Sequence, residues 1–567
     1  MKNAPHPSPL PAGGERERMR TGGQILVDQL KINGVERITC VPGESYLAAL
    51  DAMYDADIDV LICRNEGGAA MMAEAYGKLT GKPGICFVTR GPGATNAAHG
   101  VHIAQHDGTP MILFVGQVER AFLGRGAFQE LDYVRAFEGI AKWVVEISDP
   151  RRIPEMVARA FREALQGRPG PVVVSLPEDI LTEMAEVADA PPVEPVDAAP
   201  SVADMQAFAD LLDGAENPLI ILGGSRWTVE GCAAVAEFAR AFDVPVATEF
   251  RRTSLFPAHH PGYAGDLGFG QNPKLSQRIK DADLLILLGA RMAEVPSNGY
   301  TLIDAPKPRQ KLVHVFPDAA EIGRVYQPTL GIVSAPDQFA KALTALGPSL
   351  DHQGGGRAAV AHADWQGWTT TPAQIPGAFQ YGEVMVWLRE NLPPETVITN
   401  GAGNYAIWVH RYWRHDKPFT QVAPTSGSVG YSVPAGIMAK RQCPDVPVVT
   451  FAGDGCFLMN GNEFATAVQY DIPVIIIVID NGMWGTIRMH QEREYPHRPI
   501  GTDLKNPDFA AYARAFGGHG EAVRTTAEFA PAFKRAQASG KPAIIHCFID
   551  PQAITPAKTL QQVSEGG

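Results

Sequence analysis

Seven cysteines are scattered through the 567 residues (positions 40, 63, 86, 232, 443, 456 and 547), with no CxxC and no close spacing. Cys86 and Cys547 sit inside apolar runs, so they read as small buried hydrophobes in a reducing, cytoplasmic protein. No uninterrupted apolar run approaches the roughly 20 residues that span a bilayer. Excess positive charge is also missing. A net charge of −13 argues against a nucleic-acid surface or an anionic membrane as partner. The first eighteen residues, MKNAPHPSPLPAGGERER, lack the apolar core of a secretory signal. Rich in Pro, Gly and charge, they read as a disordered lead (1–18), with Met19 a second candidate start. What is present is ordinary for a soluble globular chain, 45% hydrophobic and 20% charged.

From Arg20 helical and strand patterns alternate, which predicts three successive α/β domains, each an open parallel sheet with helices on both faces. The first spans 19–185, with strands RITCVPG, DVLICR, GICFVT, PMILFVG and PVVVSLP. A Pro-, Ala- and acid-rich linker (186–201) leads to the second, 202–346, with strands PLIILGG, VPVAT, DLLILLG and KLVHVF. A second linker (347–375) precedes the third, 376–550, with strands TVITNG, PVVTFAG, IPVIIIVID and PAIIHCFID. The polar end, 551–567, reads as a loose tail.

The most informative stretch is 448–485, VVTFAGDGCFLMNGNEFATAVQYDIPVIIIVIDNGMWG. Two β-branched runs flank a helical segment, Glu463 to Tyr470, and make a βαβ unit. Its strands end in Gly453-Asp454-Gly455 and Asp480-Asn481-Gly482. Ligands bind such sheets at the carboxyl ends of the strands. A carboxylate, a carboxamide and pliant backbone on one edge are hard oxygen ligands suited to Mg²⁺ beside a phosphate. Either triplet alone is a common turn. Together, with twenty-four residues between them (456–479), they are specific.

The pair resembles the motif of the thiamine diphosphate-dependent enzymes, GDG followed at this spacing by NN. The resemblance implies that Asp454, Asn481 and the main-chain carbonyl of Met483 hold Mg²⁺ against the cofactor, with Gly453 and Gly455 beside them. Asp480 replaces the family's first Asn, which is not the metal ligand. Earlier, Asn400-Gly401-Ala402-Gly403-Asn404-Tyr405 follows strand TVIT, and glycines there let N–H groups approach an anion. GAGNYAIW is similar to the family's diphosphate loop, which implies a phosphate role for Ala402, Gly403, Asn404 and Tyr405. SGSVGYSVPA (426–435) resembles the segment whose bulky apolar residue bends the cofactor; this would be Val429, although composition alone suits a core valine equally.

In the first domain RNEGGAA (64–70) follows strand DVLIC and opens a helix. A Glu at a helix start is usually a favourable dipole contact. Here Glu66 resembles the glutamate that hydrogen-bonds the cofactor's pyrimidine N1′. A partly buried carboxyl of raised pKa would favour the tautomer that takes the C2 proton. TRGPGATN (89–96), GTPMILFVGQV and then Ala127-Phe128-Gln129-Glu130 follow in order. The series resembles the acetolactate synthase large subunit family and implies that Phe128 and Gln129 reach the cofactor and substrate pocket. For Phe128 a core aromatic is the plain alternative.

This resemblance implies a thiamine diphosphate- and Mg²⁺-dependent 2-oxo acid decarboxylase/carboligase. It also implies a homodimer or homotetramer whose sites lie between one subunit's first domain and its partner's third. FAD is an open second cofactor. Gly265 to Gly268, Gly289-Ala290-Arg291 and Ala320 to Gly323 fall where the family holds it, but Gly223-Gly224-Ser225 is not GxGxxG. Three departures surround the expected cavity: Glu44 for a glycine, Asn65 for His and His490 for Trp. New polar groups of this kind change which 2-oxo acid fits. A non-oxidative decarboxylase, as in benzoylformate or pyruvate decarboxylases, stays open, although GQVERAFLGRG lacks the His-His pair of the latter. A silent cofactor-binding relative would not need Glu66, Asp454 and Asn481 intact. His99, His102 and His106 read as helix-face residues.

Overall fold

The computed structural model describes residues 19–346 and 356–566. The expected disordered lead (1–18) and residues 347–355 of the second linker lie outside the described residues. The first domain contains β1 (Met19–Thr21), β2 (Arg37–Cys40), β3 (Asp59–Ile62), β4 (Gly84–Val88), β5 (Met111–Gln117), β6 (Trp143–Glu146), β7 (Pro171–Pro177) and β8 (Met184–Glu186). The second contains β9 (Pro218–Leu222), β10 (Val246–Glu249), β11 (Tyr263–Leu267), β12 (Leu284–Leu288), β13 (Lys311–Phe316) and β14 (Leu330–Val333). The third contains β15 (Val397–Asn400), β16 (Gln421–Val422), β17 (Val448–Gly453), β18 (Ile475–Asp480), β19 (His519–Val523) and β20 (Ala543–Phe548).

Each domain is built on one six-stranded sheet, ordered β3-β2-β4-β5-β7-β6, β11-β10-β9-β12-β13-β14 and β16-β15-β17-β18-β20-β19. Neighbouring strands are parallel throughout the three sheets. Continuous apolar runs such as LLILL (β12) and IIIVID (β18) are buried along their whole length, as sheets covered by helices on both faces require. A short antiparallel pair, β1 with β8, ties the two ends of the first domain together.

The first and third domains share a core. The helix Glu66–Thr80 is almost entirely small or apolar on its buried side and packs against Ser432–Gln442 of the third domain. Within the first domain it also packs closely on the helix Gly91–Asp107, where a Cβ at Gly100 would lie 2.4 Å from the Ala70 Cβ. Buried polar groups lock the junction. Glu74 accepts from Thr109 Oγ1 at 2.7 Å and from the Tyr431 hydroxyl, and Lys78 pairs with Glu74 and Asp107. Asp107 in turn accepts the Thr425 N–H at 2.8 Å.

Two segments differ from the sequence expectation. The second linker carries a helix, Arg357–Thr369, whose Trp365 is buried in the central core. The expected loose tail packs on the third domain. Ala553 and Ile554 are buried, and the helix Leu560–Ser564 starts in a Thr559/Gln562 capping box. All seven cysteines are free, and all but the half-buried Cys443 are buried.

Candidate active site

In a sheet of the third domain's order, connections leave in opposite directions from β15 and β17, and the crevice between the loops that follow them is the ligand position. Those loops are Gly401 to Asn404 and the turn at Gly453-Asp454. A cavity of about 270 Å³ opens there. Ala402, Gly403, Asn404, Tyr405, Val429, Gly453, Asp454, Gly455, Asn481 and Met483 all line it, so the ten third-domain residues given a cofactor or metal role from sequence meet in one place, whereas His490 does not line it. Trp408, Cys456, Trp484, Thr486 and Ile554 are among the other residues of the wall, and no motif had named the last four of these.

The backbone suits a bulky anion. Gly403 has φ +138, a conformation that L side chains rarely adopt, and a Cβ there would lie 2.9 Å from the Tyr405 ring. The Tyr405 hydroxyl accepts the Gly401 N–H at 3.0 Å, and Asn404 is held by Thr486 at 2.8 Å and by the Ile554 carbonyl at 3.0 Å. Asp454 is not in a plain turn: it begins the helix Asp454–Asn460. Its carboxyl accepts from Gly455 N–H at 3.0 Å and Asn506 Nδ2 at 2.7 Å. Burial pushes that carboxyl up to about 7, and Asp480 adds to the rise. For Asp480, burial works in the same direction but is outweighed. His546, the Gly482 N–H and Asn506 hold it below the ordinary carboxylate value.

A buried carboxylate, the Asn481 carboxamide and the Met483 carbonyl at the ends of adjacent strands form an oxygen donor set, which fits Mg²⁺. Among the described residues no group of three or more His, Cys, Asp or Glu side chains could hold a metal ion, and His99, His102 and His106 form no such site.

The first-domain candidates gather elsewhere. Glu66 is half-buried at the start of its helix, and Asn96 Nδ2 donates to its Oε2 at 2.9 Å. Gln129 has φ +65, and its carbonyl accepts the Gly91 N–H at 3.0 Å, next to Gly93, where a Cβ would lie 3.4 Å from Glu66 Oε1. Phe128 is 74% exposed, so it is not a core aromatic. None of the three lines the third-domain cavity. Glu463, which no motif marked, accepts the N–H groups of Arg64 and Asn65 at 3.0 and 2.8 Å and so fixes the turn before Glu66.

The departures have local partners. Asn65 caps the Glu66 helix, its Oδ1 accepting the Gly67 N–H at 2.8 Å. Glu44 pairs at 3.0 Å with Arg90, which also holds Glu178. His490 is exposed, its Nδ1 2.8 Å from Arg493.

In the central sheet the connections diverge between β9 and β12, the place where a dinucleotide would lie. The N–H groups of Arg291 and Met292 already donate there to Glu249 Oε1 at 3.1 and 2.8 Å. Across the gap a Cβ at Gly223 would lie 2.3 Å from Glu249 Oε2, and one at Gly224 would lie 2.3 Å from the Gly289 carbonyl. A carboxylate that holds these donors does not fit the pyrophosphate of FAD.

Comparison with known proteins agrees with this division. Residues 20–136 match the family model "Thiamine pyrophosphate enzyme, N-terminal TPP binding domain", 205–343 its central domain and 401–547 its C-terminal TPP binding domain. The chain is 32% identical over 523 residues to the acetolactate synthase large subunit of Parasynechococcus marenigrum (strain WH8102), covering 88% of this chain and 83% of that one. It is 29% identical over 542 residues to the acetolactate synthase isozyme 2 large subunit of Escherichia coli (strain K12), covering 93% and 95%. A sulfoacetaldehyde acetyltransferase of Alcaligenes xylosoxydans xylosoxydans is 28% identical over 547 residues, covering 91% and 90%. The chain belongs to the thiamine pyrophosphate-dependent enzymes and resembles the acetolactate synthase large subunits.

Proposed function

We propose that the protein is a thiamine diphosphate- and Mg²⁺-dependent 2-oxo acid decarboxylase/carboligase of the acetolactate synthase type. The observation that carries this reading is the convergence of ten sequence-marked residues on one cavity in the third domain. Asp454, Asn481 and the Met483 carbonyl would hold the metal. The loop Ala402 to Tyr405 would take the diphosphate, and Val429 would press on the body of the cofactor. When bound, thiamine diphosphate supplies the nucleophilic carbon and electron sink that decarboxylation of a 2-oxo acid needs. Glu66 would hold a proton against the pyrimidine, and the exposed Phe128 with Gln129 would border the substrate. Because those three sit apart from the cavity of their own chain, we propose a homodimer or homotetramer in which a partner's first domain completes each site. The arrangement around Glu249 speaks against flavin.

The test is a panel of 2-oxo acids and acceptor carbonyls, sulfonated aldehydes included, with thiamine diphosphate and Mg²⁺ and identification of products. We expect CO₂ together with a carbon–carbon coupled hydroxyketone or hydroxy acid. Free aldehyde alone would favour simple decarboxylation. Equal slowness of wild type and Glu66→Gln on every acid would favour a silent relative. An active monomer in sedimentation would contradict the shared site.

A further inference from the structure

The Asp that replaces the family's first Asn is not a neutral swap, because its surroundings are built for an acceptor. Asp480 Oδ1 accepts the Gly482 N–H at 2.9 Å and one Asn506 amide hydrogen at 2.8 Å. Asp480 Oδ2 lies 2.8 Å from His546 Nε2. A carboxylate oxygen only accepts, so Nε2 carries the hydrogen. Asn506 uses its second amide hydrogen on Asp454 Oδ2 at 2.7 Å and so bridges the two carboxylates. His546 lies on β20, beside β18. It is 1% exposed, with its ring between Phe509 (centroids 4.9 Å, 75° apart) and Phe548 (4.0 Å). Nothing loose holds this pair together.

An asparagine at 480 would offer two donors and one acceptor where the structure supplies three donors. Its amide hydrogens would then face the Asn506 N–H, or would face His546 Nε2 and force that ring's hydrogen onto Nδ1, which is buried without a partner. The residues at 480 and 546 are therefore matched to each other. Their effect reaches the metal donors by two routes. Asp480 closes the turn at Gly482, within which Asn481 Oδ1 accepts the Met483 N–H at 3.2 Å. Asn506 ties Asp480 to Asp454.

We infer that His546 is a positioning residue for the divalent-cation site, acting through Asp480 and Asn506 to aim Asn481, the Met483 carbonyl and Asp454. The inference rests on the reading of those three as Mg²⁺ ligands. Partners of this kind typically change metal affinity by about 10- to 100-fold when removed.

The experiment is a double-mutant cycle on the full-length protein at one fixed pH. Mg²⁺ is titrated calorimetrically at saturating thiamine diphosphate, and thermal unfolding is followed in chelator as a control. His546→Leu is expected to weaken Mg²⁺ binding by about 10- to 100-fold, and His546→Gln, which keeps an N–H donor, to restore most of that loss. In the Asp480→Asn background His546→Leu should cost clearly less, because the two residues couple. Additive effects, or wild-type Mg²⁺ affinity in His546→Leu, would overturn the inference. If His546→Leu does not fold, His546→Phe, which also removes the N–H donor, against Asp480→Asn gives the same cycle. A wild-type protein that binds thiamine diphosphate without any help from Mg²⁺ would overturn the underlying reading, and the inference with it. Mg²⁺-dependent binding with an additive cycle would overturn the inference alone.

Discussion

The first and third sheets are wired identically, and the central one is not. With strands counted in chain order within each sheet, β3-β2-β4-β5-β7-β6 and β16-β15-β17-β18-β20-β19 follow one scheme, whereas β11-β10-β9-β12-β13-β14 diverges at a different place. The equivalent helices after β3 and β16, Glu66–Thr80 and Ser432–Gln442, even pack on each other. Yet the three divergence points end up in different states. In the third domain glycines hold it open as a cavity. In the first, Glu44 and Arg90 reach across it, and a Cβ at Gly43 would strike the Thr89 side chain at 2.5 Å. In the central domain Glu249 fills it. Wiring provides the crevice, and a few loop residues decide whether a ligand can use it.

The largest expected effect separates holding from acting. Asp454→Ala should abolish Mg²⁺-dependent binding of thiamine diphosphate in calorimetry. Glu66→Gln should leave binding nearly intact and lower turnover by about 10² to 10⁴. If Glu66→Gln turned over at the wild-type rate, the first domain would have no chemical role and the comparison would break.

That division was visible in the sequence only where it rests on contiguous residues. GDG, DNG and GAGNY each sit at one strand end and carry their chemistry within a few positions. His546, Asn506, Glu463 and Glu249 do not, because each acts on a distant strand end, and only the fold brings them there. The same logic explains the strands that the sequence hid. β6, β11, β14, β16 and β19 all lie at a lateral edge of their sheet. An edge strand has a neighbour on one side only and needs no continuous apolar run. WVVE is half-buried throughout, β14 alternates, and YAGDL carries a glycine and an aspartate. The central strands, buried on both faces, announced themselves.

Acid should distinguish the central domain next. Burial pushes the central domain's His260 and His314 down to about 4. Their ordinary value is 6.5. The folded state thus binds fewer protons than the unfolded one between these limits. The stability of burying them neutral is complete above 6.5 and is lost as pH falls toward 4. For His314 alone the loss is about 3 kcal/mol. Hydrogen exchange at falling pH should show central-sheet amides opening before those of the first sheet, and His314→Gln should flatten the dependence. Simultaneous opening of both sheets would remove the distinction.

A smaller effect is expected at the first domain's closed crevice. Arg90 is 7% exposed and serves two carboxylates. Arg90→Met should lower stability in denaturant titration by about 1.5 to 3 kcal/mol, the range for charged hydrogen bonds. Glu44→Gln, at an exposed partner, should cost no more than about 1 kcal/mol. Equal costs would mean that Glu44, not Glu178, is the partner that matters.

The smallest effect compares the two equivalent helices at their starts. Ser432–Gln442 follows Tyr431 with no side-chain cap. Glu66–Thr80 is capped by Asn65, and Glu463 accepts the two N–H groups just ahead of it. The capped helix carries Glu66, the residue proposed to face the cofactor, and fraying there would displace it directly. Asn65→Ala should therefore cost about 1 kcal/mol in thermal unfolding, and Asn65→Asp, which keeps an acceptor for the Gly67 N–H, should cost much less. If both substitutions left the unfolding midpoint unchanged, Glu463 alone would be setting the start of this helix. The asymmetry between the two domains would then reside in that single buried carboxylate.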